Sequence, residues 1–336
     1  MHMHSLIEFN EYGIYCPQAD LFIDPIKPVK KALITHAHGD HSRPGSGHYL
    51  AHTDSELIMK QRLGEQIKVQ TVDYRQTLHV NGVEISYHPA GHIPGSAQIK
   101  LSHKGFSTVI SGDYKLADDG ISTPFESVKC NEFVTESTFG LPIYQWPEQA
   151  TVFEEINAWW RKNQAEGKVS VLFAYALGKA QRILANIDPS IGKIYTHGAV
   201  ENATEVLRKT GLKLPETILV TKDIPKKEYT GSLVIATPAS IGSPWMKKFS
   251  PYSTGITSGW MMLRGTRRRE AADRGFVLSD HADWNGLLTA VKNSEADRVY
   301  VTHGYTNAFS RYLEELGYDA YATDSLFEGE SLDTMD

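Results

Sequence analysis

Thr35-His36-Ala37-His38-Gly39-Asp40-His41 follows directly on the apolar run Ala32-Leu33-Ile34, and this junction decides how the chain is read. The apolar run reads as the end of a buried strand. A turn leaving such a strand projects three imidazoles and a carboxylate toward one point, and that mixture suits zinc and neighbouring transition metals. Taken alone, the stretch is also compatible with a polar loop rich in histidine. Further metal-capable side chains at the ends of later apolar runs weigh against that reading.

Three such positions lie downstream. His92 sits in Ala90-Gly91-His92-Ile93-Pro94-Gly95-Ser96, a turn bounded by Gly and Pro that can bring backbone close to a bound ion. Asp113 follows the apolar run Thr108-Val109-Ile110 within Ser111-Gly112-Asp113-Tyr114, where a carboxylate is placed to bridge two cations. Two metals about 3.5–4 Å apart form the clamp that hydrolyses phosphoesters. His303 ends the run Val299-Tyr300-Val301-Thr302. Singly, His92 and Asp113 read as satisfied turn residues; with the first cluster they read as one metal centre. His197, in Thr196-His197-Gly198, looks the same locally but follows a strand of a different sheet and is set aside. Asp24, before Pro25, has two readings: a partner orienting a metal-binding histidine or an Asp-Pro turn initiator.

Of 336 residues, 41% are hydrophobic and 22% charged, the balance of a soluble globular chain with room for one large domain or two ordinary ones. Apolar runs such as Leu233 to Ala236 are too short to span a membrane, and Met1-His2-Met3-His4 lacks an apolar leader core. A cytoplasmic protein with no membrane partner is expected. Cys16 and Cys130 are the only cysteines. They are too few for a disulfide framework and are expected to be buried small hydrophobes. The net charge of -6 argues against a chain-wide polyanion surface, so a nucleic-acid partner requires a local basic one.

Short strands are predicted at Ile14-Tyr15, Leu21 to Ile23, Val69 to Val72, Thr77 to Val80 and Val83 to Tyr87, with a helix from Ser55 to Gly64. From Pro147 to about Gly265 the texture changes. A helix opens with Val152, Phe153, Ile156, Trp159 and Trp160 at helical spacing, which is a burial signal more than a base-stacking platform. Strand Val169 to Ala176, helix Ala180 to Ile187, strand Lys193 to Thr196, helix Val200 to Thr210 and strands Thr217 to Thr221 and Leu233 to Ala236 follow. This alternation predicts a parallel sheet with its own core, a second domain inserted into the first. Two features of the insert can meet phosphate. Leu177-Gly178-Lys179 joins a strand to a helix N-terminus, though it lacks GxxxxGK[ST], so ATP is not expected, and an ordinary turn explains it as well. Arg264-Gly265-Thr266-Arg267-Arg268-Arg269, with Arg274 nearby, reads equally as a phosphate-neutralising run or a solvated face. It precedes Leu278-Ser279-Asp280-His281-Ala282-Asp283.

With these residues in hand, nearly the whole chain resembles the metallo-β-lactamase superfamily and, within it, the β-CASP nucleases. Asp24 resembles the first motif, His36, His38, Asp40 and His41 the second, His92 the third and Asp113 the fourth. Glu136, in Thr135-Glu136-Ser137-Thr138, resembles β-CASP motif A, His281 motif B and His303 motif C. Tyr15-Cys16-Pro17, Tyr175-Ala176-Leu177-Gly178-Lys179-Ala180-Gln181 and Ser258-Gly259-Trp260-Met261 are similar to bacterial DNA ligase-associated exonucleases, which belong to DNA-repair gene neighbourhoods.

The resemblance implies an α/β architecture: an αββα metallo-β-lactamase domain of residues 1–145 and 271–336, interrupted by a β-CASP cap at 146–270, with the active site in the cleft between them. It implies two divalent ions, Zn or Mn, one held by His36, His38 and His92, the other by Asp40, His41 and His303, with Asp113 bridging. Asp24 would support the ligands, and Asp40, Glu136 and His281 would be catalytic, His281 acting on the leaving oxygen. Lys179, Arg267, Arg268 and Arg269 are the expected nucleic-acid contacts. The implied activity is a DNA exonuclease of DNA repair that releases 5′-mononucleotides from the 5′ end of single-stranded DNA. The implied partners are DNA, single-stranded or with a free end, and a DNA ligase and helicase of the same pathway. A histidine at motif C is associated with the RNA-processing branch, so a β-CASP ribonuclease is the alternative.

Overall fold

The computed structural model describes residues 5–263 and 272–323. The expected contacts Arg267, Arg268 and Arg269 lie outside the described residues. The chain is a mixed α/β protein of two compact units, the first comprising described residues 5–118, 122–144 and 281–323, the second 119–121, 145–263 and 272–280.

Two sheets build the first unit. One contains, in spatial order, β1 (Glu8–Asn10), β2 (Gly13–Cys16), β3 (Leu21–Ile23), β4 (Lys31–Leu33), β5 (His48–His52) and β6 (Val69–Val72). The other contains β7 (Thr77–Val80), β8 (Val83–Pro89), β9 (Ala97–His103), β10 (Phe106–Ile110), β11 (Glu132–Glu136), β18 (Arg298–Thr302) and β19 (Asp319–Ala322), each hydrogen-bonded to the next. In β8, Val83, Ile85 and Tyr87 are buried while Glu84, Ser86 and His88 are not, the period-two pattern of a strand with one face on a core. That core joins Ile14, Leu21, Ile23 and Leu33 of the first sheet to Val83, Ile85, Ile99 and Leu101 of the second. The other face of the second sheet packs Val109, Phe133, Val299 and Val301 against two helices, Trp284–Ser294 and Thr306–Glu315. Each such aliphatic side chain contributes roughly 1.5–3 kcal/mol by leaving water. Cys16 and Cys130 are free and buried.

The second unit carries a wholly parallel sheet of β12 (Val169–Phe173), β13 (Ile194–Thr196), β14 (Ile218–Leu219), β15 (Leu233–Ala236), β16 (Tyr252–Ser258) and β17 (Arg274–Val277), in spatial order β14-β13-β15-β12-β16-β17. With Glu56–Leu63 counted as α1, helices α2 (Gln149–Ala165), α3 (Lys179–Asn186) and α4 (Gly198–Lys209) follow in chain order. The stripe Val152, Phe153, Ile156, Trp159 and Trp160 of α2 packs on Leu172 and Ile235, so it is core. The second unit runs to Asp280, whereas the sequence reading placed the return at 271. The reason is β17, which pairs with β16 from Gly255↔Arg274 to Ser258↔Val277. Arg-Gly-Phe-Val at a sheet edge has too little apolar content to read as a strand. Among the described residues no helix is long and apolar enough to cross a membrane.

Candidate active site

Strand direction gathers the site. Strands β10, β11 and β18 are neighbouring and parallel, so their carboxyl ends align and deliver Asp113, Glu136 and His303 to one edge. Antiparallel β9 separates β10 from β8, so β8 runs the same way as β10, and the turn carrying His92 leaves from that edge as well. In the first sheet β3 and β4 are parallel, which sets Asp24 beside the turn starting at Thr35.

Asp24 is spent on that turn. Its Oδ1 accepts from the Thr35 N–H at 2.8 Å, and its Oδ2 accepts from Thr35 Oγ1 at 2.6 Å and from His41 Nδ1 at 2.7 Å. A carboxylate only accepts, so His41 carries a proton on Nδ1, which leaves Nε2 as the ring nitrogen turned inward. Of the two readings of Asp24, the structure supports the orienting one. Thr35 Oγ1, already donating to Asp24, is left to accept from His36 Nδ1 at 3.2 Å. Thr302 does the same for His303: its Oγ1 donates to the Thr135 carbonyl at 3.2 Å and meets His303 Nδ1 at 2.9 Å. Three histidines thus have their Nε2 presented inward by outer oxygens.

These nitrogens converge. His38 Nδ1 lies 3.2 Å from His36 Nε2 and 3.1 Å from His92 Nε2. Asp113 Oδ2 lies 3.5 Å from His36 Nε2, 3.4 Å from His41 Nε2 and 3.8 Å from His92 Nε2. Three groups result among the described residues, His36, His38, His92 and Asp113, then Asp40, His41 and His303, and a third in which Asp113 meets Glu136 and His281, each with its donor atoms within 4.8 Å of one another. The His41 and His303 rings stack at 5.1 Å. Asp113 Oδ1 is buried with no hydrogen-bond partner among the described residues. Burial, together with the neighbouring His41, holds His36 well below the usual histidine range. Burial opposes charge on Asp113, yet His41 and His281 hold its carboxyl well below the usual range. Burial also opposes charge on His41, yet Asp113, Asp40 and Asp24 hold it well above the usual histidine range. His36 and Asp113 thus stand in the protonation states that cations bind, whereas a cation at His41 would have to displace a proton; imidazole with carboxylate in adjoining sets fits a pair of divalent ions.

Beside the donors stands an acid–base pair. Glu136, fully buried at the end of β11, accepts from the Tyr114 N–H at 2.8 Å, and its two oxygens lie 2.9 and 3.1 Å from His281 Nδ1. Its carboxylate fixes His281 with Nε2 outward, 4.7 Å between ring centres from His92. Close backbone approach at His303 requires glycine next to it: Gly304 has φ +71°, and a Cβ there would lie 2.4 Å from the Ser137 carbonyl oxygen. The Ser137 N–H donates to the His303 carbonyl at 3.2 Å, and the Tyr305 N–H to the Ser137 carbonyl at 3.0 Å, clasping the two turns together.

Other expected residues fall differently. Asp40 remains 28% exposed at its side chain, with Oδ2 3.7 Å from His41 Nε2. Lys179 is not an exposed phosphate contact: it is fully buried, 3.7 Å from Asp280 and 4.6 Å from the centre of the Tyr175 ring. Arg274 is paired with Glu155 at 3.2 Å. His197 caps α4, accepting from the Ala199 N–H at 3.3 Å, and packs on Trp245. Thr35 and Thr302 were missed. Each directly precedes a histidine of the site, but Thr196 precedes His197 in the same way, so the dipeptide alone does not discriminate.

No family model matches the chain. Over 313 residues it is 30% identical to a probable DNA ligase of Opitutus terrae, covering 93% of this chain and 30% of that protein. Over 125 residues it is 30% identical to Endoribonuclease ysh1 of Aspergillus fumigatus, covering 36% of this chain and 14% of that protein. The chain therefore spans less than a third of the length of these curated relatives. A crystal structure of a protein of unknown function from Enterococcus faecalis V583 is similar with a TM-score of 0.58 at 11% identity, covering 81% of this chain and 74% of that one, a likeness of fold alone.

Proposed function

Because this chain belongs to the β-CASP group of the metallo-β-lactamase superfamily and is related to a protein named as a DNA ligase, we propose that it is a metal-dependent DNA exonuclease of DNA repair. In this reading the first unit is the metallo-β-lactamase domain and the second its inserted β-CASP cap. The observation that carries the reading is the convergence of seven donor residues with a carboxylate-held histidine beside them. When bound, two divalent cations, Zn or Mn, supply Lewis acidity and lower the pKa of an attacking water.

The chain's own groups do the rest. His36, His38 and His92, with Asp113, would hold one ion, and Asp40, His41 and His303 would hold the other. Asp24, Thr35 and Thr302 keep the imidazoles in the binding tautomer. Glu136 orients His281, whose Nε2 donates a proton to the leaving oxygen of an in-line displacement at phosphorus, leaving products with 5′-phosphates. Stepwise release of mononucleotides from the 5′ end of single-stranded DNA, in the cytoplasm and alongside a ligase and helicase, is the specific form proposed.

The rival with its own support is an RNA-processing ribonuclease, since the relatives include proteins named endoribonucleases and a histidine, His303, stands where motif C is matched. Matched DNA and RNA strands labelled at either end, digested with each divalent metal in turn and after chelation, decide between them. Loss of label first from the 5′ end of DNA is expected. Faster digestion of RNA, or rapid cutting of a covalently closed DNA circle, would overturn the exonuclease reading.

A further inference from the structure

Asp280, the residue before His281, is 3% exposed and is gripped by two cations from one turn of α3. Arg182 Nη1 donates to Asp280 Oδ1 at 3.0 Å and to the Ser279 carbonyl at 2.6 Å, while Arg182 Nε donates to Gln149 Oε1 at 2.7 Å. Lys179 Nζ lies 3.7 Å from Asp280 Oδ2. Lys179 and Arg182 are themselves buried, three residues apart on the helix and hence on one face. All five residues belong to the second unit, and Asp280 is joined to His281 by one peptide bond.

Three buried charges are a poor way to gain stability, because the desolvation penalty commonly equals or exceeds the attraction, and apolar side chains of the same volume serve as well. What the cluster does supply is direction. Arg182 binds two successive residues at once, through the carbonyl of Ser279 and the carboxylate of Asp280, in a planar fork geometry that a lysine or an apolar side chain does not reproduce. Two fixed residues leave the backbone little freedom where it enters His281, and Glu136 fixes the far end, the ring.

We propose that Arg182 and Lys179 are positioning residues that act through Asp280 to set the backbone from which His281 presents Nε2 to the leaving group. The inference rests on the reading of His281 as the proton donor. A shift of about 1 Å in a reacting group can lower a rate by 10²-fold, so loosening this anchor should lower kcat while leaving substrate and metal binding in place.

The test is a kinetic cycle on the metal-loaded full chain with 5′-labelled single-stranded DNA: wild type, Arg182→Gln, His281→Ala and the double variant, with Arg182→Lys and Asp280→Asn as milder perturbations. Expected is a fall in kcat of roughly 10- to 100-fold for Arg182→Gln, with KM and metal content unchanged and partial recovery in Arg182→Lys. In the His281→Ala background Arg182→Gln should lower kcat no further, because the group it positions is gone. If the two losses multiply, or if kcat per folded molecule is unchanged, the positioning role is overturned while the proton-donor reading stands. A His281→Ala variant with wild-type kcat would instead overturn the proton-donor reading and this inference with it. Should Arg182→Gln not fold, Asp280→Asn, which keeps shape and removes the charge, takes its place in the same cycle with the same outcomes.

Discussion

Asp24→Asn tests the carboxylate that sets the His41 tautomer. In the wild type the carboxylate accepts from Thr35 N, Thr35 Oγ1 and His41 Nδ1. If the amide oxygen keeps the Thr35 N–H, the amide NH2 faces Thr35 Oγ1 and His41 Nδ1, and a donor meets donors. His41 resolves the clash by moving its proton to Nε2, which then points at Asp113 Oδ2, 3.4 Å away, and offers no lone pair to a cation. Loss of such an outer partner weakens metal binding by roughly 10- to 100-fold, about 1.4–2.7 kcal/mol. The buried site also forgoes hydrogen bonds to a charged acceptor, each worth about 1.5–3 kcal/mol, so the melting temperature should fall. Metal affinity measured by calorimetry against a competing chelator should therefore show the His36, His38 and His92 ion retained and the other ion weakened, with activity recovered at high metal concentration. Unchanged affinity for both ions in a folded Asp24→Asn protein would refute the argument that Asp24 sets the His41 tautomer.

Other outcomes follow from the same geometry. His303→Ala should lower occupancy of the second ion, visible in metal analysis, and excess metal should restore part of the rate; a variant that keeps both ions at wild-type affinity removes His303 from the ligand set. Gly304→Ala combines a left-handed backbone penalty of about 1–2 kcal/mol with a Cβ 2.4 Å from the Ser137 oxygen. It should melt well below Gly167→Ala, which shares the positive φ but faces open space. Burial pushes the Cys130 thiol up to about 12, so alkylation at pH 8 should be far slower in the folded chain than in denaturant. Because this acid is weaker when folded, its stabilising contribution is complete below the thiol's unfolded pKa and is lost as pH rises toward the folded one.

Much of the site was legible because its donors sit where short-range rules apply. His36, His38, Asp40 and His41 lie in one turn, and Asp113 and His303 each follow an apolar strand that needs only a few residues to be recognised. The strands themselves were unevenly legible. Strand β8 alternates and reads plainly, whereas β11 is buried at all five positions, Glu132 and Glu136 included. With neighbours on both sides in the sheet and packing on both faces, it has no polar face to mark its period. Lys179 misled for the opposite reason. A lysine at a helix start looks like an anion contact, and only burial beside Asp280 gives it a different partner.

The sequence by itself marked out the candidate donor residues, since metal-donor types and turn signals are written in adjacent positions, and it determined the alternation that builds a parallel sheet in the second unit. The tertiary structure decided what those residues do to one another. That Asp113, Glu136 and His303 meet depends on β10, β11 and β18 lying side by side in parallel, which no local pattern encodes. That Asp24 orients His41, that Thr302 turns His303 inward and that Arg182 grips Asp280 are likewise long-range facts. A hydrogen bond needs its partners within about 3.5 Å and correctly aimed. For residues far apart in the chain, that condition is met only once the sheets have stacked and their strands have taken one register.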